Sequence, residues 1–188
     1  MVVPKGVEVR VLSWAQNIQT KAPDRAPSCV IMQAMKVYKP PHPAPEGRPR
    51  LFLAGSIEMG TADDWQERVE EMLEETDWVV LNPRHESWDP SWEQREDAGP
   101  FRNQVEWELA GLESADRILM YFSPETKSPI SLLELGLFAR SSKLLVVCPE
   151  GFWRKGNVDI VCISYNIQKC ETLEEAIGIL KTEAANFI

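Results

Sequence analysis

The sequence predicts a doubly wound α/β domain, Rossmann-like or flavodoxin-like, with five parallel strands and helices on both faces. Two observations carry this. From residue 49 onward, short apolar strand patterns alternate with helical ones, which is the signature of a sheet wrapped by crossover helices. The strand patterns are also apolar throughout instead of alternating with polar residues, as strands covered on both faces are.

Each element has its own justification. Residues 1–48 read as an N-terminal arm. Val7, Val9 and Val11 alternate with polar residues as a half-exposed strand would. Residues 37–50 hold five of the fourteen prolines, which makes an extended connector without a packed element of its own. The domain proper spans 49–188. Its first strand, 51–55, ends in a glycine turn. Thr61 then opens a helix as a capping box with Asp64, and Ala62, Trp65, Val69, Met72 and Leu73 form the core stripe. The second strand is 78–82, followed by a polar and aromatic loop over 83–99. A helix covers 100–115 and the third strand 117–122. The next helix has Ser128 as its N-cap and Pro129 in its first position. The fourth strand is 144–148, the fifth 158–164, and a closing helix covers 172–185.

Composition narrows the function. With 44% apolar and 26% charged residues over 188 positions, the chain is an ordinary globular one, large enough for a proper core. A net charge of −9 argues against nucleic-acid or anionic-membrane binding, since phosphate contacts need a basic surface. No stretch reaches membrane-span length and the N-terminus lacks an apolar signal core, so a cytoplasmic protein is expected. The four cysteines (Cys29, Cys148, Cys162, Cys170) form no Cys-x-x-Cys and read as reduced, buried thiols. His42 and His85 have no ligands at metal spacing, so neither metal nor cofactor is expected. The loop 55–60 is not Gly-x-Gly-x-x-Gly and supports no dinucleotide fingerprint.

Two carboxylates stand out. In the run 128–139, Glu134 is the only charge, and Ile130, Leu133, Leu137 and Phe138 define the helical face around it. Burying a lone carboxylate costs several kcal/mol, so a Glu kept there is either paired structurally or employed in chemistry. On the preceding helix Phe101, Val105, Leu109, Leu112 and Ala115 give the stripe, with Glu108 inside it and Glu106 and Glu113 outside. A pair of carboxylates in one cleft is standard equipment for glycosidic bonds, one attacking or stabilising the anomeric carbon and one managing protons. The competing reading is that each Glu reaches the rim of its helix and solvent. In a parallel sheet, ligands sit beyond the strands' carboxyl ends. Gly55 and Ser56 after the first strand, and Asn82 and Arg84 after the second, are the candidate substrate contacts there. Trp88 and Trp92 offer a stacking surface for a base, or a lid.

From about 50 to 170 the chain resembles the nucleoside 2-deoxyribosyltransferase family, in its deoxyribosyltransferase-like branch. The matching segments are Phe-Leu-Ala-Gly-Ser-Ile-Glu-Met-Gly (52–60), Trp-Glu-Leu-Ala-Gly-Leu-Glu-Ser-Ala-Asp (107–116) and Leu-Glu-Leu-Gly-Leu-Phe-Ala (133–139). The resemblance implies that Glu134 attacks the anomeric carbon of a nucleoside and forms a covalent glycosyl-enzyme. It also implies that Glu108, 26 residues earlier, takes the place usually held by an Asp, and that Ser128 stands where many members carry an acid. Asn157 falls where an Asn reaches into a neighbouring subunit's site, which implies a homo-oligomer. The contact is expected in the loop 151–157, through Phe152 and Trp153. Related deoxynucleotide hydrolases have an Arg in the first glycine loop, where this chain has Glu58. An uncharged nucleoside is therefore the expected substrate, with a free nucleobase as second reactant, unless Arg84, Arg95 and Arg102 converge on the site. The leading expectation is 2-deoxyribosyl transfer between bases. An N-glycoside hydrolase using the same carboxylates and a non-catalytic nucleoside-binding module are the alternatives.

Overall fold

The structure is a computed structural model and describes residues 34–45, 49–57, 63–85, 89 and 91–187. The expectations placed on Val7–Val11, Cys29, Glu58, Thr61, Ala62 and Trp88 lie outside the described residues. In chain order the elements are β1 (Lys36–Tyr38), β2 (Arg50–Gly55), α1 (Trp65–Leu73), β3 (Val79–Leu81), α2 (Gly99–Ser114), β4 (Arg117–Tyr121), α3 (Pro129–Phe138), β5 (Leu144–Val147), α4 (Lys155–Tyr165), β6 (Gln168–Cys170) and α5 (Leu173–Asn186). All strand pairs are parallel, in the order β1-β3-β2-β4-β5-β6.

The sheet therefore has six strands, against five expected. Two corrections produce the difference. The connector supplies β1, which pairs with β3 at Lys36–Val79 through Tyr38–Leu81, so this proline-rich stretch does contribute a packed element. The run 158–164 is part of α4, and the edge strand lies just beyond it at Gln168–Cys170. Val158 and Cys162, four apart, are buried, while Ile160 and Ile163 are exposed. The period is helical, but apolar residues on both sides of the helix conceal it from sequence.

Each sheet face has its own core. Leu51, Leu53, Val80, Leu119, Leu145 and Val147 point toward α1 and α5, where Trp65, Val69, Leu73, Ala176, Ile177 and Leu180 cover them. Phe52, Ala54, Leu81, Ile118, Met120 and Val146 point the other way, against Leu112, Leu135, Phe138, Val158 and Cys162 of α2, α3 and α4. This alternation is the two-residue period of a strand with both faces buried. Asp64 caps α1, its carboxylate accepting from the Glu67 N–H at 3.0 Å. Thr172 caps α5 in the same way through the Glu175 N–H, at 3.2 Å. Cys148, Cys162 and Cys170 are buried free thiols, and burial holds the first two up at about 11. No described helix is long and apolar enough to cross a membrane.

The connector is also fastened to the domain. The Trp107 indole N–H donates to the His42 carbonyl at 3.0 Å, and the Trp107 ring lies 6.2 Å from that of Phe52. The Arg50 backbone N–H donates to the Asp116 carboxylate at 2.7 Å, fixing the entry to β2.

One backbone position admits only glycine. Gly55 ends β2 at φ 141°, and a Cβ there would stand 2.2 Å from the Tyr121 carbonyl oxygen. Gly55→Ala is expected to lower stability by about 3 kcal/mol or more, read as a shift in the urea unfolding midpoint.

Candidate active site

Strand order fixes where a site can form. From β2 the chain passes through α1 to β3 on one side, then crosses back through α2 to β4 on the other. The carboxyl ends of β2 and β4 thus flank the switch point, where open α/β sheets bind ligands. Ser56 follows β2 there, and Ser123–Ser128 follow β4.

Three buried hydroxyls join these two chain segments. Ser56 Oγ lies 2.7 Å from Thr126 Oγ1 and 2.6 Å from Ser128 Oγ, and the last two are 2.8 Å apart. Ser56 Oγ also accepts from the Ser123 N–H at 2.9 Å. Ser128 occupies the N-cap position of α3 with φ 45°, but its hydroxyl makes no capping bond to the helix. It is spent on Ser56 and Thr126, so this triangle sets how α3 leaves the sheet. Thr126 carried no sequence signal, because an isolated Thr in a loop is unremarkable until its partners are known.

On α3 the inward face is Ser131, Glu134, Leu135 and Phe138. These residues keep the i, i+3, i+4, i+7 spacing of a buried stripe. Ile130, Leu133 and Leu137, assigned from sequence to the face around Glu134, are instead 59–60% exposed. Glu134 itself is 8% exposed. On α2 the inward residues are Gln104, Gly111 and Leu112, continued by Ala115, and Glu108 is half-buried along the same line. Leu109, expected in the stripe, is 42% exposed. Gly111 lets α2 press onto the sheet, for a Cβ there would meet the Phe52 ring at 2.6 Å.

The two carboxylates interact. Burial, reinforced by the charge of Glu108, raises the Glu134 carboxyl to about 8. Glu108 is raised as well by burial, and a hydrogen bond from Gln104 opposes the rise. Among the described residues no Lys or Arg pairs with either carboxylate, and no hydrogen bond reaches Glu134. Arg84 goes to Asp64 at 3.3 Å, Arg95 to Asp97 at 2.6 Å and Arg102 to Glu106 at 2.6 Å. The three arginines are thus each matched to an acid elsewhere.

Gln104 was missed from sequence. Its Nε2 donates to the Pro83 carbonyl at 3.0 Å and to Glu108 Oε1 at 2.7 Å, linking Glu108 to the exit of β3. A carbonyl can only accept, so the Pro83 contact fixes which end of the amide faces these oxygens. The Gln104 Oε1 is buried with no partner among the described residues, a cost borne beside the carboxylates. Only the four-residue spacing to Glu108 hinted at this pair.

The other candidates are placed as follows. Gly55 and Ser56 stand at the switch point, and Ser128 is joined to Ser56. Asn82 and Arg84 turn to α1, on the opposite sheet face from α2 and α3. Asn82 donates to Glu70 at 2.5 Å and accepts from the Arg84 N–H at 2.9 Å, while Arg84 also reaches the Asp63 carbonyl at 3.2 Å. Asn157 is exposed on the first turn of α4. Trp92 lies edge-on to His85, with ring centroids 5.6 Å apart.

The fold is thus an α/β parallel sheet whose α2 and α3 carry two interacting carboxylates, half-buried Glu108 and buried Glu134. The sequence profile described as nucleoside 2-deoxyribosyltransferase like matches residues 48–152, more than half of the chain, and the chain belongs to that family. No curated protein matches the chain.

The electrostatics give two measurable consequences. Between about pH 4.5 and about 8 the folded chain holds a proton on Glu134 that the unfolded chain releases, so stability falls as pH rises through that window. Glu134→Gln removes the cost. Its thermal midpoint is expected to exceed the parent's by on the order of 10 °C at pH 8 and to converge with it below about pH 4.5 in calorimetry. Gln104→Leu removes the donor that favours ionised Glu108. In a carboxyl-detected NMR titration, the Glu108 midpoint is expected to move up.

Proposed function

We propose that the chain transfers a 2-deoxyribosyl group between nucleobases through a covalent ester on Glu134. The observation that carries this reading is the pairing of buried Glu134 with half-buried Glu108 on neighbouring helices, with no cation paired to either among the described residues.

An ionised Glu134 oxygen attacks C1′ of the deoxyribose. The C1′–N bond breaks, its electron pair remains on the base nitrogen, and Glu108 delivers a proton to the departing base. A second base then attacks C1′ from the vacated side, the ester bond breaks back to Glu134, and the proton lost by the incoming base returns to Glu108. One carboxyl must be charged and the other protonated; below about pH 8 the pair's proton rests on Glu134, so attack requires that proton to pass first to Glu108. Burial bears on both roles: it makes the anion a poorly solvated nucleophile and favours the protonated form of the acid.

The substrate favoured by this environment is an uncharged nucleoside. A phosphate would enter a site that already holds carboxylates, while Arg84, Arg95 and Arg102 are engaged by acids elsewhere. Gly55 and Ser56 line the switch point and Ser128 holds the turn into α3, so these three shape the floor beneath the sugar. The branch between transferase and hydrolase depends on whether a base or water reaches the ester first.

The test is base exchange. Incubating the chain with deoxyinosine and adenine is expected to yield deoxyadenosine. Glu134→Gln should lose at least about 10³-fold in kcat and Glu108→Gln about 10²-fold, with circular dichroism unchanged. The parent's rate should fall above about pH 8 as the shared proton is lost. Free deoxyribose released without acceptor base would identify water as the acceptor. No turnover of any deoxynucleoside by the folded chain would remove the reading.

A further inference from the structure

Among the described residues, the Gln104 side chain donates twice and accepts nothing. It is 6% exposed and lies one turn before Glu108 on α2. Its amide nitrogen serves both the Pro83 carbonyl and Glu108 Oε1, while its oxygen is buried without a donor. Turning the amide over would set that oxygen against two acceptors, so the orientation holds in spite of the orphaned atom. The anchor is itself fixed. Asn82 donates to Glu70 and accepts from the Arg84 N–H, which closes a turn around Pro83 at the exit of β3.

The two carboxylates are therefore unequal. Glu108 accepts this one hydrogen bond and Glu134 accepts none, among the described residues. A donor favours the charged form of the carboxyl it touches. We propose that Gln104 is a positioning residue that sets which carboxyl of the pair bears the proton: anchored on Pro83, it keeps Glu108 charged and leaves the proton on Glu134.

Neighbouring charges do not override this donor. Leu51–Gly55 of β2 and Val79–Leu81 of β3 carry no ionisable side chain, and from Pro129 to Ala139 α3 brings only Glu134. Arg102 lies on Glu106, Arg84 lies on Asp64, and His85 packs against Trp92. His42 in the connector and Glu113 on α2 are exposed. Ahead of α4, Phe152 is 3% exposed, and so not the subunit contact expected of it, while Lys155 bridges to Asp159 and Glu171. The raised Glu134 carboxyl, with the charge of Glu108 among its causes, agrees with this seat for the proton.

The use made of this device rests on the glycosyl-transfer reading. Before attack the proton crosses from Glu134 to Glu108, and Gln104 resists that step. Once the ester has formed, Glu134 has no charge and Glu108 has passed its proton to the departing base. The Glu108 anion is the form that Gln104 fits, and it stands ready to take the proton of the incoming base. Gln104 thus favours the resting and glycosyl-enzyme stages over the state that attacks.

The seat of the proton is measured without substrate, so this assignment and the glycosyl chemistry can fail separately. Carboxyl-detected NMR titrations compare the parent with Gln104→Met, which nearly keeps the volume and removes the donor. In the parent, Glu134 is expected to titrate at about 8, after Glu108 has lost its proton. In the variant the two midpoints should approach each other, Glu134 falling and Glu108 rising, with each carboxyl reporting both steps. A merely structural glutamine would leave both midpoints in place or move them the same way, and either result overturns the proposal. Should Gln104→Met fail to fold, the side-chain amide of the parent decides. Amide proton signals that shift in step with the Glu108 titration support the assignment, and signals that follow Glu134 alone or do not shift overturn it.

Discussion

The contact between the end of β2 and the end of β4 is the constraint on which the rest depends. Gly55 lies against the Tyr121 carbonyl so closely that no side chain fits. The next residue, Ser56, then gathers three parts of the chain. Its N–H donates to the Tyr121 carbonyl at 3.0 Å, its carbonyl accepts the Trp65 indole N–H at 2.9 Å, and its hydroxyl meets Thr126 and Ser128. The start of α1, the turn into α3 and the seam between two central strands are thereby held at one point. The direction of α3, and with it the inward aim of Glu134, follows from that junction.

Keeping two acids in this place works against stability. Each is desolvated, the charge of Glu108 raises the cost of ionising Glu134, and no guanidinium or ammonium among the described residues offsets them. The surrounding apolar packing supplies the difference. Leu135 and Phe138 flank Glu134 on α3, while Leu112 and the close approach at Gly111 seat α2 against Phe52. A purely structural role would be better served by Leu or Gln at either position. Two uncompensated carboxylates at this place are what the proposed chemistry would require.

The fold was legible from residue 49 onward because buried parallel strands are apolar throughout, and four of them lie where their runs of Leu, Val, Ile and Met do. Reading failed where tertiary context overrides local pattern. β1 has three residues, and its neighbour β3 supplies the evidence that Lys36–Tyr38 is a strand. The pattern over α4 reads as a strand, and the patterns over α2 and α3 indicate rotated faces, for one shared reason. Apolar side chains at Leu109, Ile130, Leu133, Leu137, Ile160 and Ile163 stand outside the fold, so hydrophobicity no longer marks the inside. Within the site, Glu108 and Glu134 were visible as charges in apolar runs. Gln104 and Thr126 were not, because a polar residue in a polar context acquires meaning only from its partners.

The origin of β1 has a practical corollary for where the chain can be cut. Val79, Val80 and Leu81 have no exposed surface to speak of, and their free hydrogen-bonding side is occupied by Lys36–Tyr38. Expression from a start codon placed after the prolines would strip that border and leave an uncovered apolar ribbon, the kind of margin on which chains stack into aggregates. The Trp107 link to the His42 carbonyl and the Arg50 guanidinium link to the Pro45 carbonyl would go with it. A shortened clone therefore has to begin ahead of Lys36, and the apparent linker is an integral hem of the sheet.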